Sequence, residues 1–444
     1  MSHKCAIFGP GPFAEYFTWR GELPSQTLWN LMMKTENPNP GEKYRLGQQA
    51  HMRRAEGINT LGPAPTEEVH TQRIWLGWGI VQWVIAILAI AAFAAMVVFA
   101  SGPSSIATTG TLALVALVPL VGVTLVLTWI DRWAPLSWGH KVMGLFLGAG
   151  LGGGGAIVVN SLLGTDFLLY TGDQNLTQFY SAVFVAPFSE EIFKGLAVVL
   201  VMVLAQNSLV SPLSGAALGG LVGAGFAYVE NILYFVQAHA QGSAVLGLTL
   251  FARGVMSPFI HPMATSFTGL MIAWAFICRP KLWGWVWRIF VGLCAAILVH
   301  MLWNYLASVG TANWLLLYLI IEMPLLALWL GGLLIWAGKQ SKRVARGLES
   351  YVVTGWVLAS EVRMATNRYA GRYARKWGRR IGPPAPKMVR KFIRTIRRLG
   401  MDQEAMAAHG VRPYLVEQDN RLLADVGAIR EEFVHLEALR GAAQ

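Results

Sequence analysis

The sequence predicts an all-α membrane protein, a bundle of about eight transmembrane helices followed by a basic helical region. Of its 444 residues, 55% are hydrophobic and only 14% are charged, and the mean hydropathy is +0.46. This composition excludes an ordinary soluble domain. The formal net charge of +12 is concentrated in the C-terminal quarter, where residues 339–444 carry 21 Lys and Arg against 10 Asp and Glu.

Eight apolar runs divide the chain into an arm, a membrane core and a tail. Each run has the roughly 20 residues that a helix needs to cross ~30 Å of hydrocarbon. We therefore expect a cytosolic N-terminal arm over 1–73, an eight-span core over 74–338 and a basic cytosolic region over 339–444. The predicted spans are 74–100, 106–129, 142–164, 183–206, 213–237, 246–278, 284–307 and 313–338.

Basic residues in the short connections indicate how the bundle is oriented. Arg132 and Lys141 fall between the second and third spans, and Arg279 and Lys281 fall between the sixth and seventh. Basic loops stay on the cytoplasmic side of a membrane. The sequence therefore predicts a multi-pass protein of the plasma membrane with both termini in the cytoplasm.

A stripe of small residues marks the fifth span. Gly215, Gly219 and Gly223 recur every four residues, a spacing that lets two helix backbones approach closely. We interpret this stripe as helix packing.

The tail contains an amphipathic segment from Lys387 to Leu399, KMVRKFIRTIRRL. Its apolar residues share one helical stripe and its basic residues fill the other face, as in helices that lie on anionic membrane surfaces. The sequence therefore predicts that the tail binds the bilayer. It contains no nucleic-acid recognition motif, so nucleic acid is not expected as a partner.

Five ionisable side chains in five different spans fall at one depth. Each lies at roughly 22–26 Å along its own helix, counted from the cytosolic end at 1.5 Å per residue. Ionisable groups at membrane depth are costly and face a partner or a water-filled cavity, so this layer indicates a functional site in the outer half of the bilayer. The five residues are Glu191, Glu230, His261, His300 and Glu322.

The densest group lies in the fourth span. Glu190 and Glu191 are adjacent, and Lys194 follows one helical turn later. Pro187 suits the first turn of a helix, so both acids are expected near a helix N-terminus, where the helix dipole stabilises negative charge. The alternative is an internal salt bridge that only holds the bundle together.

Two chemistries fit these side chains, and both hydrolyse peptide bonds. Glutamates and histidines bind a borderline metal such as Zn²⁺, which activates water. Alternatively, a buried glutamate acts as general base without a metal, while Asn304 and Lys194 stabilise an oxyanion. The sequence lacks the HExxH, GxSxG and paired-aspartate signatures of familiar proteases.

Four motifs in order along the spans resemble the PrsW family of intramembrane proteases, distant relatives of the CAAX-processing and bacteriocin-processing membrane proteases. They are Glu190-Glu191-x-x-Lys194, Phe226-x-x-x-Glu230-Asn231, Arg253 with His261-x-x-x-Thr265, and His300-x-x-Trp303-Asn304. The resemblance spans roughly residues 75–338. It implies an intramembrane metalloprotease that cleaves membrane-anchored proteins such as anti-sigma factors.

We therefore expect one water-accessible site with divided roles. Glu230, His261 and His300 are the expected metal ligands, Zn²⁺ being the expected metal. Glu191 is the expected base, and Glu190, one position away, could exchange roles with it. Lys194 supports the two acids, and Asn304 orients groups or binds the oxyanion.

A proton- or cation-coupled transporter is the alternative function, because buried Glu, Lys and His also build proton relays. Common transporters contain two corresponding halves with broken segments. Here the ionisable groups cluster in spans four to eight, and no such pairing of halves is seen. This distribution favours the protease. The sequence does not indicate the oligomeric state.

Overall fold

The computed structural model describes residues 68–102, 104–309 and 313–442. Over these ranges the chain is helical and contains no strand. The predicted all-α class is confirmed. The chain divides into two compact units, one over Arg73–Ser341 and one that contains the tail from Lys342 onward. The predicted arm over 1–73 lies almost wholly outside the described residues.

Among the described residues, seven helical stretches are long and apolar enough to cross a membrane, and they coincide with seven of the eight predicted spans. The elements are α1 (Glu68–Ser101), α2 (Ile106–Ile130), α3 (Trp138–Thr171), α4 (Gln174–Tyr180), α5 (Ala186–Ala205), α6 (Pro212–Gln241), α7 (Ser243–Phe251), α8 (Ile260–Cys278), α9 (Leu282–Val309), α10 (Trp314–Leu317) and α11 (Met323–Gly347).

The remaining predicted span corresponds to α5, which is not among the seven. This 20-residue helix carries Glu190, Glu191 and Lys194, all of which are buried. Its other buried residues, such as Val198 and Met202, belong to an apolar core formed with α3, α6 and α8. The charged side chains therefore lie inside the bundle, where protein groups can solvate them.

Helix α6 is the centre of the unit. In its most apolar stretch 83% of the residues are buried, against at most 44% in the corresponding stretches of the other six spans. The predicted glycine packing is confirmed. A Cβ added at Gly219 would lie 2.6 Å from the Thr265 carbonyl oxygen on α8, and one at Gly223 would collide with the His261 carbonyl. Only glycine allows this approach, which brings His261 against α6.

The acids of α5 do not lie at a free helix N-terminus, so that expectation was wrong. A π-helical turn, Ser181–Val185, joins α4 to α5 without a break. Pro187 has no N–H, and the wide turn absorbs the missing hydrogen bond. The Asn304 amide from α9 donates to the Ala182 carbonyl in this turn at 2.8 Å. A side chain thus satisfies a backbone group that lies at membrane depth.

One of the charges used to orient the bundle is not in a loop. Lys141 lies within α3 and is buried, with its Nζ 2.9 Å from Asp131 Oδ2. The counter-charge of Asp131 explains why the chain tolerates this lysine inside the bundle. The cytoplasmic assignment of the connection between α2 and α3 therefore rests on Arg132.

The tail forms a second apolar core from its own helices. These are α12 (Glu349–Val353), α13 (Ala359–Thr366), α14 (Arg368–Ile381), α15 (Ala385–His409) and α16 (Pro413–Ala442). Ala374 of α14 packs with Val389 and Ile393 of α15, and Trp377 and Phe433 cover the cluster.

The apolar stripe of α15 is not available to a membrane, which corrects the predicted mode of membrane binding. Val389, Phe392 and Ile393 are 2–3% exposed, and Ile396 and Leu399 are fully buried. The amphipathic pattern was real, but the other tail helices cover its apolar side. Periodicity shows that a helix has an apolar face without showing what covers it.

Candidate active site

The charged residues of α5 form a compact buried group. The Lys194 Nζ lies 2.6 Å from Glu191 Oε1 and 3.5 Å from Glu190 Oε2, and it stands 4.1 Å from the centre of the Phe226 ring. Lys194 and Glu191 are 0% exposed and Glu190 is 7% exposed. One ammonium thus balances two carboxylates at helical spacing, and an aromatic face further stabilises its charge.

Two histidines from different helices meet beside this group. The Nδ1 of His300, on α9, lies 3.1 Å from Glu191 Oε1, and the Nδ1 of His261, on α8, lies 3.2 Å from Lys194 Nζ. The two imidazoles meet edge to face with ring centres 4.8 Å apart. Thr265, one turn after His261, donates to Glu191 Oε2 at 3.1 Å. Glu191 therefore connects α5 with both α8 and α9.

Glu230 of α6 completes the group from the other side of His261. Its Oε2 lies 2.6 Å from His261 Nε2 and also pairs with the Arg253 guanidinium. Arg253 lies in a π-helical turn, Ala252–Met256, and donates from Nε to Asn231 Oδ1 at 2.8 Å. Glu230 thus has a permanent cationic partner, which is typical of a carboxylate that positions a neighbour.

A cavity of about 200 Å³ is lined by two of the three glutamates of the group, Glu190 and Glu230. Glu190, Glu230 and Tyr234 supply polar groups to its wall, and Asn160 of α3 adds an amide that is hydrogen-bonded to Ser189. The rest of the wall is formed by the Gln237 amide and by apolar or small residues: Gly153, Ala156, Ile157, Phe226, Val229 and Leu233. Glu191 is not part of this wall.

Among the fully buried carboxylate oxygens of the described cluster, Glu190 Oε2 is the one without a hydrogen-bond partner, although it lies 3.5 Å from the Lys194 ammonium. This oxygen is fully enclosed and accepts no hydrogen bond from any described residue. A donor atom from each of Glu190, His261 and His300 lies within 4.8 Å of the other two. A buried orphan oxygen beside two imidazoles is the donor set that a divalent cation such as Zn²⁺ takes. The residues therefore fit a metal.

The hydrogen bonds assign the imidazole nitrogens. Carboxylates only accept, so in the neutral rings His261 donates from Nε2 to Glu230 and His300 donates from Nδ1 to Glu191. Nδ1 of His261 and Nε2 of His300 then carry the lone pairs. The first accepts from the Lys194 ammonium at 3.2 Å, and the second lies 3.8 Å from Glu190 Oε2. A carboxylate that holds the far nitrogen of a histidine is the usual support of a metal ligand.

The structure brings Glu190, Glu191, Lys194, Glu230, His261 and His300 together. It groups Glu190, rather than the expected Glu230, with the two histidines. Asn304 donates to the Ala182 carbonyl instead of to this cluster. Glu322 is 4% exposed, and neither of its carboxylate oxygens bonds to a described residue of the cluster.

Asn160, which lines the cavity from α3, was not predicted as a site residue. Its signal was present, because it is the single amide side chain in the predicted span 142–164. The ion pair between Arg253 and Glu230 was also missed, since the two lie on separate elements. Small residues of α3 make room for the site, because a Cβ at Gly152 would press on Lys194 Cγ at 3.3 Å.

Comparison with known proteins now adds a family. Residues 136–329 match the model of the PrsW family intramembrane metalloprotease. The resemblance inferred from the motifs is thereby confirmed, and the match contains every residue of the cluster. The PrsW match supports intramembrane peptidase activity, and it ends before the tail. No curated protein and no solved structure matches the chain.

Proposed function

We propose that the chain is an intramembrane endopeptidase that hydrolyses peptide bonds of membrane-anchored proteins. The observation that carries the proposal is the group formed by Glu190, His261 and His300, which is buried within the PrsW-matching helices and borders a cavity. A packing salt bridge would account for Lys194 with one acid, but not for the second acid and two imidazoles beside it.

Glu190 is the reactive carboxylate in this proposal, in the role first expected of Glu191. It lines the cavity, where its carboxylate can hold a water or a cation. Glu191 already accepts from Lys194, His300 and Thr265, so it acts by holding His300. Glu230, paired with Arg253, holds His261 in the same way.

Glu190, His261 and His300 would hold a divalent cation, with Zn²⁺ as the proposed ion. When bound, the ion would lower the pKa of water and polarise a peptide carbonyl. Without an ion, the Glu190 carboxylate would take the proton of a water in the cavity directly. The Lys194 ammonium lies beside two of the same donors, so metal content has to be measured.

The substrate chemistry follows from the cavity. Apolar and small side chains form about half of its wall, and the carboxylates of Glu190 and Glu230 are among its polar groups. Such a wall suits an apolar peptide segment whose backbone must be oriented by few polar groups. We propose a single membrane-spanning segment as substrate, with an anti-sigma-like protein as one candidate.

The first experiment compares cleavage by the wild-type chain and three variants expressed in the same membrane. New peptide termini in single-span membrane proteins are identified by mass spectrometry. Glu190→Gln, His261→Ala and His300→Ala should each reduce the products at least ~100-fold, since each removes a group from the reacting centre. Purified wild type should contain about one Zn²⁺ per chain, and the same variants should lose it.

Glu322→Gln is the matched control, because it neutralises a buried glutamate outside the cluster. It should retain cleavage and metal. If wild type and Glu190→Gln yield the same termini, the protease proposal fails. If the three variants lose cleavage while wild type contains no metal, the metal-free route through Glu190 stands.

We also propose that both described ends of the membrane unit face the cytoplasm of a plasma-membrane protein. Arg132, Arg279 and the basic tail support this orientation. Reporter fusions at Tyr170 and at Arg440 should report opposite sides of the membrane. The same side for both positions would refute the topology.

A further inference from the structure

A basic surface covers one side of the tail. On α14, the basic positions repeat at helical spacing along one face, and on α15 a second row follows the turn at Gly382–Pro384. These side chains are exposed. We call the following set the basic face: Arg368, Arg372, Lys376, Arg379 and Arg380 of α14, and Lys387, Arg390 and Arg394 of α15.

The basic face is unbalanced by acids. None of its members forms an ion pair with a described residue, whereas other exposed bases of the tail do. Arg346 pairs with Glu404 at 2.5 Å, and Lys391 pairs with Asp425 at 2.8 Å. Uncompensated positive charge costs folding energy through mutual repulsion, so its concentration on one side calls for a partner.

The two rows of the basic face are close in space. Ala374 of α14 packs against Val389 and Ile393 of α15. Burial, and then the charges of Arg372, Arg379 and Arg390, lowers the pKa of Arg375 on α14. Arg390 comes from α15 and the other two from α14, so the guanidinium groups form one field across both helices. Tyr369 adds an aromatic ring that is 73% exposed, with the Arg372 guanidinium 5.5 Å from its centre.

We propose that the basic face binds the phosphate groups of anionic lipids and holds the tail on the membrane surface by charge alone. The tail helices follow α11, the last apolar helix of the membrane unit, directly in the chain. The tether gives lipid headgroups a high effective concentration at the tail. Because the apolar stripe of α15 is buried, the contact is made by Arg and Lys side chains with headgroups and not by insertion into the acyl chains.

This mode differs measurably from amphipathic insertion, because it weakens with salt. Basic residues attract an anionic leaflet only within a Debye length, which is about 10 Å at 0.1 M salt. Each lysine or arginine near the surface contributes roughly a fivefold increase in the docking equilibrium. Removing three should therefore weaken docking by roughly a hundredfold.

The test uses the full chain in nanodiscs of phosphatidylcholine alone or with about one third phosphatidylglycerol. Hydrogen exchange is measured over peptides from α14 and α15. We expect slower exchange in the anionic discs, at least tenfold for the peptides that carry the basic face, and loss of the difference at 0.5 M NaCl. The variant Arg372→Gln/Arg379→Gln/Arg390→Gln should show no difference between the two discs.

The matched control is Arg346→Gln/Lys391→Gln/Arg421→Gln, which removes the same charge from bases that already have acidic partners. It should behave like wild type. Equal exchange in both discs overturns the proposal, and so does equal loss in the variant and its control. Anisotropy of a fluorescent RNA oligonucleotide is measured with the phosphatidylcholine discs. Tight RNA binding without a lipid effect would assign the basic face to nucleic acid instead.

Discussion

Replacing Glu191 by Gln should lower the free energy of unfolding of the membrane unit. The same change at Glu190 should leave that free energy nearly unchanged. Glu191 is 0% exposed and accepts from Lys194 at 2.6 Å, from His300 at 3.1 Å and from Thr265 at 3.1 Å. A glutamine keeps one acceptor oxygen and presents an NH₂ group to donors. The fully buried Lys194 also loses its nearest counter-charge.

The magnitudes follow from those contacts. Breaking a buried ion pair by removing one partner costs roughly 3–5 kcal/mol. Glu190, 3.5 Å from Lys194 Nζ, remains as a second counter-charge, so we expect the lower end, about 3 kcal/mol. Glu190 Oε2 accepts no hydrogen bond, so Glu190→Gln removes little and should cost under about 1 kcal/mol.

The double variant Glu191→Gln/Lys194→Met separates this cause from general damage. It removes both charges and fills the lysine's place with an apolar side chain of similar length. It should recover up to about 2 kcal/mol relative to Glu191→Gln alone, because no buried ammonium remains. Glu190 loses its counter-charge, but it lines the cavity, where water can solvate it. Cleavage should stay absent, since His300 has lost its support in both variants.

The assay is the free energy of unfolding of the full chain, titrated with SDS in mixed micelles, alongside cleavage for each variant. The reasoning is refuted if Glu191→Gln is as stable as wild type, or if adding Lys194→Met lowers stability further. Glu190→Gln must abolish cleavage while remaining folded. A stable Glu190→Gln variant that still cleaves would return the reactive role to Glu191.

Three further outcomes are expected. Gly219→Val should destabilise the unit by at least ~2 kcal/mol through collision with α8, whereas Gly331→Val, with open space at its Cβ, should not, as SDS titration would measure. Burial, and then the charge of Asp402, raises the pKa of Asp419 to about 7, so the folded tail holds a proton that the unfolded chain releases near 3.8. This stability is fully present below pH 3.8 and is lost as pH rises through 7. Exchange protection of α16 should therefore fall by roughly 1 kcal/mol per pH unit between pH 5 and 7, and Asp419→Asn should remove that slope. Truncation after Gly347 should leave cleavage of overexpressed single-span substrates intact, and loss of cleavage by a folded truncation would place the tail in the catalytic machinery.

Depth was the part of the site that could be predicted from the sequence. Counting 1.5 Å per residue from span ends placed Glu191, Glu230, His261 and His300 in one layer, and the structure brings all four into one group. The same counting placed Glu322 there, yet it does not join them. Depth is one coordinate, and it does not specify which face of a helix points inward.

Contacts between side chains of different helices could not be predicted from the sequence for the same reason. Asn304 lies one turn from His300, so the sequence indicated a role in the active site. In the structure its amide donates to the Ala182 carbonyl in the π-helical turn before Pro187. The predicted membrane contact of the tail was wrong for a similar reason. Its apolar stripe was correctly identified, whereas the helices that cover it follow from tertiary packing, which periodicity does not encode.

Glu190 and Glu191 have different surroundings because they are one position apart on a helix. Neighbouring positions on an α-helix point about 100° apart, at 3.6 residues per turn. That rotation turns Glu191 toward α8 and α9, where three donors enclose it, and turns Glu190 toward the cavity. Both acids share Lys194 as counter-charge, so neither could be buried as cheaply alone. In the proposed mechanism, adjacent acids with a lysine one turn later therefore provide one carboxylate to hold the histidine and another to meet the substrate.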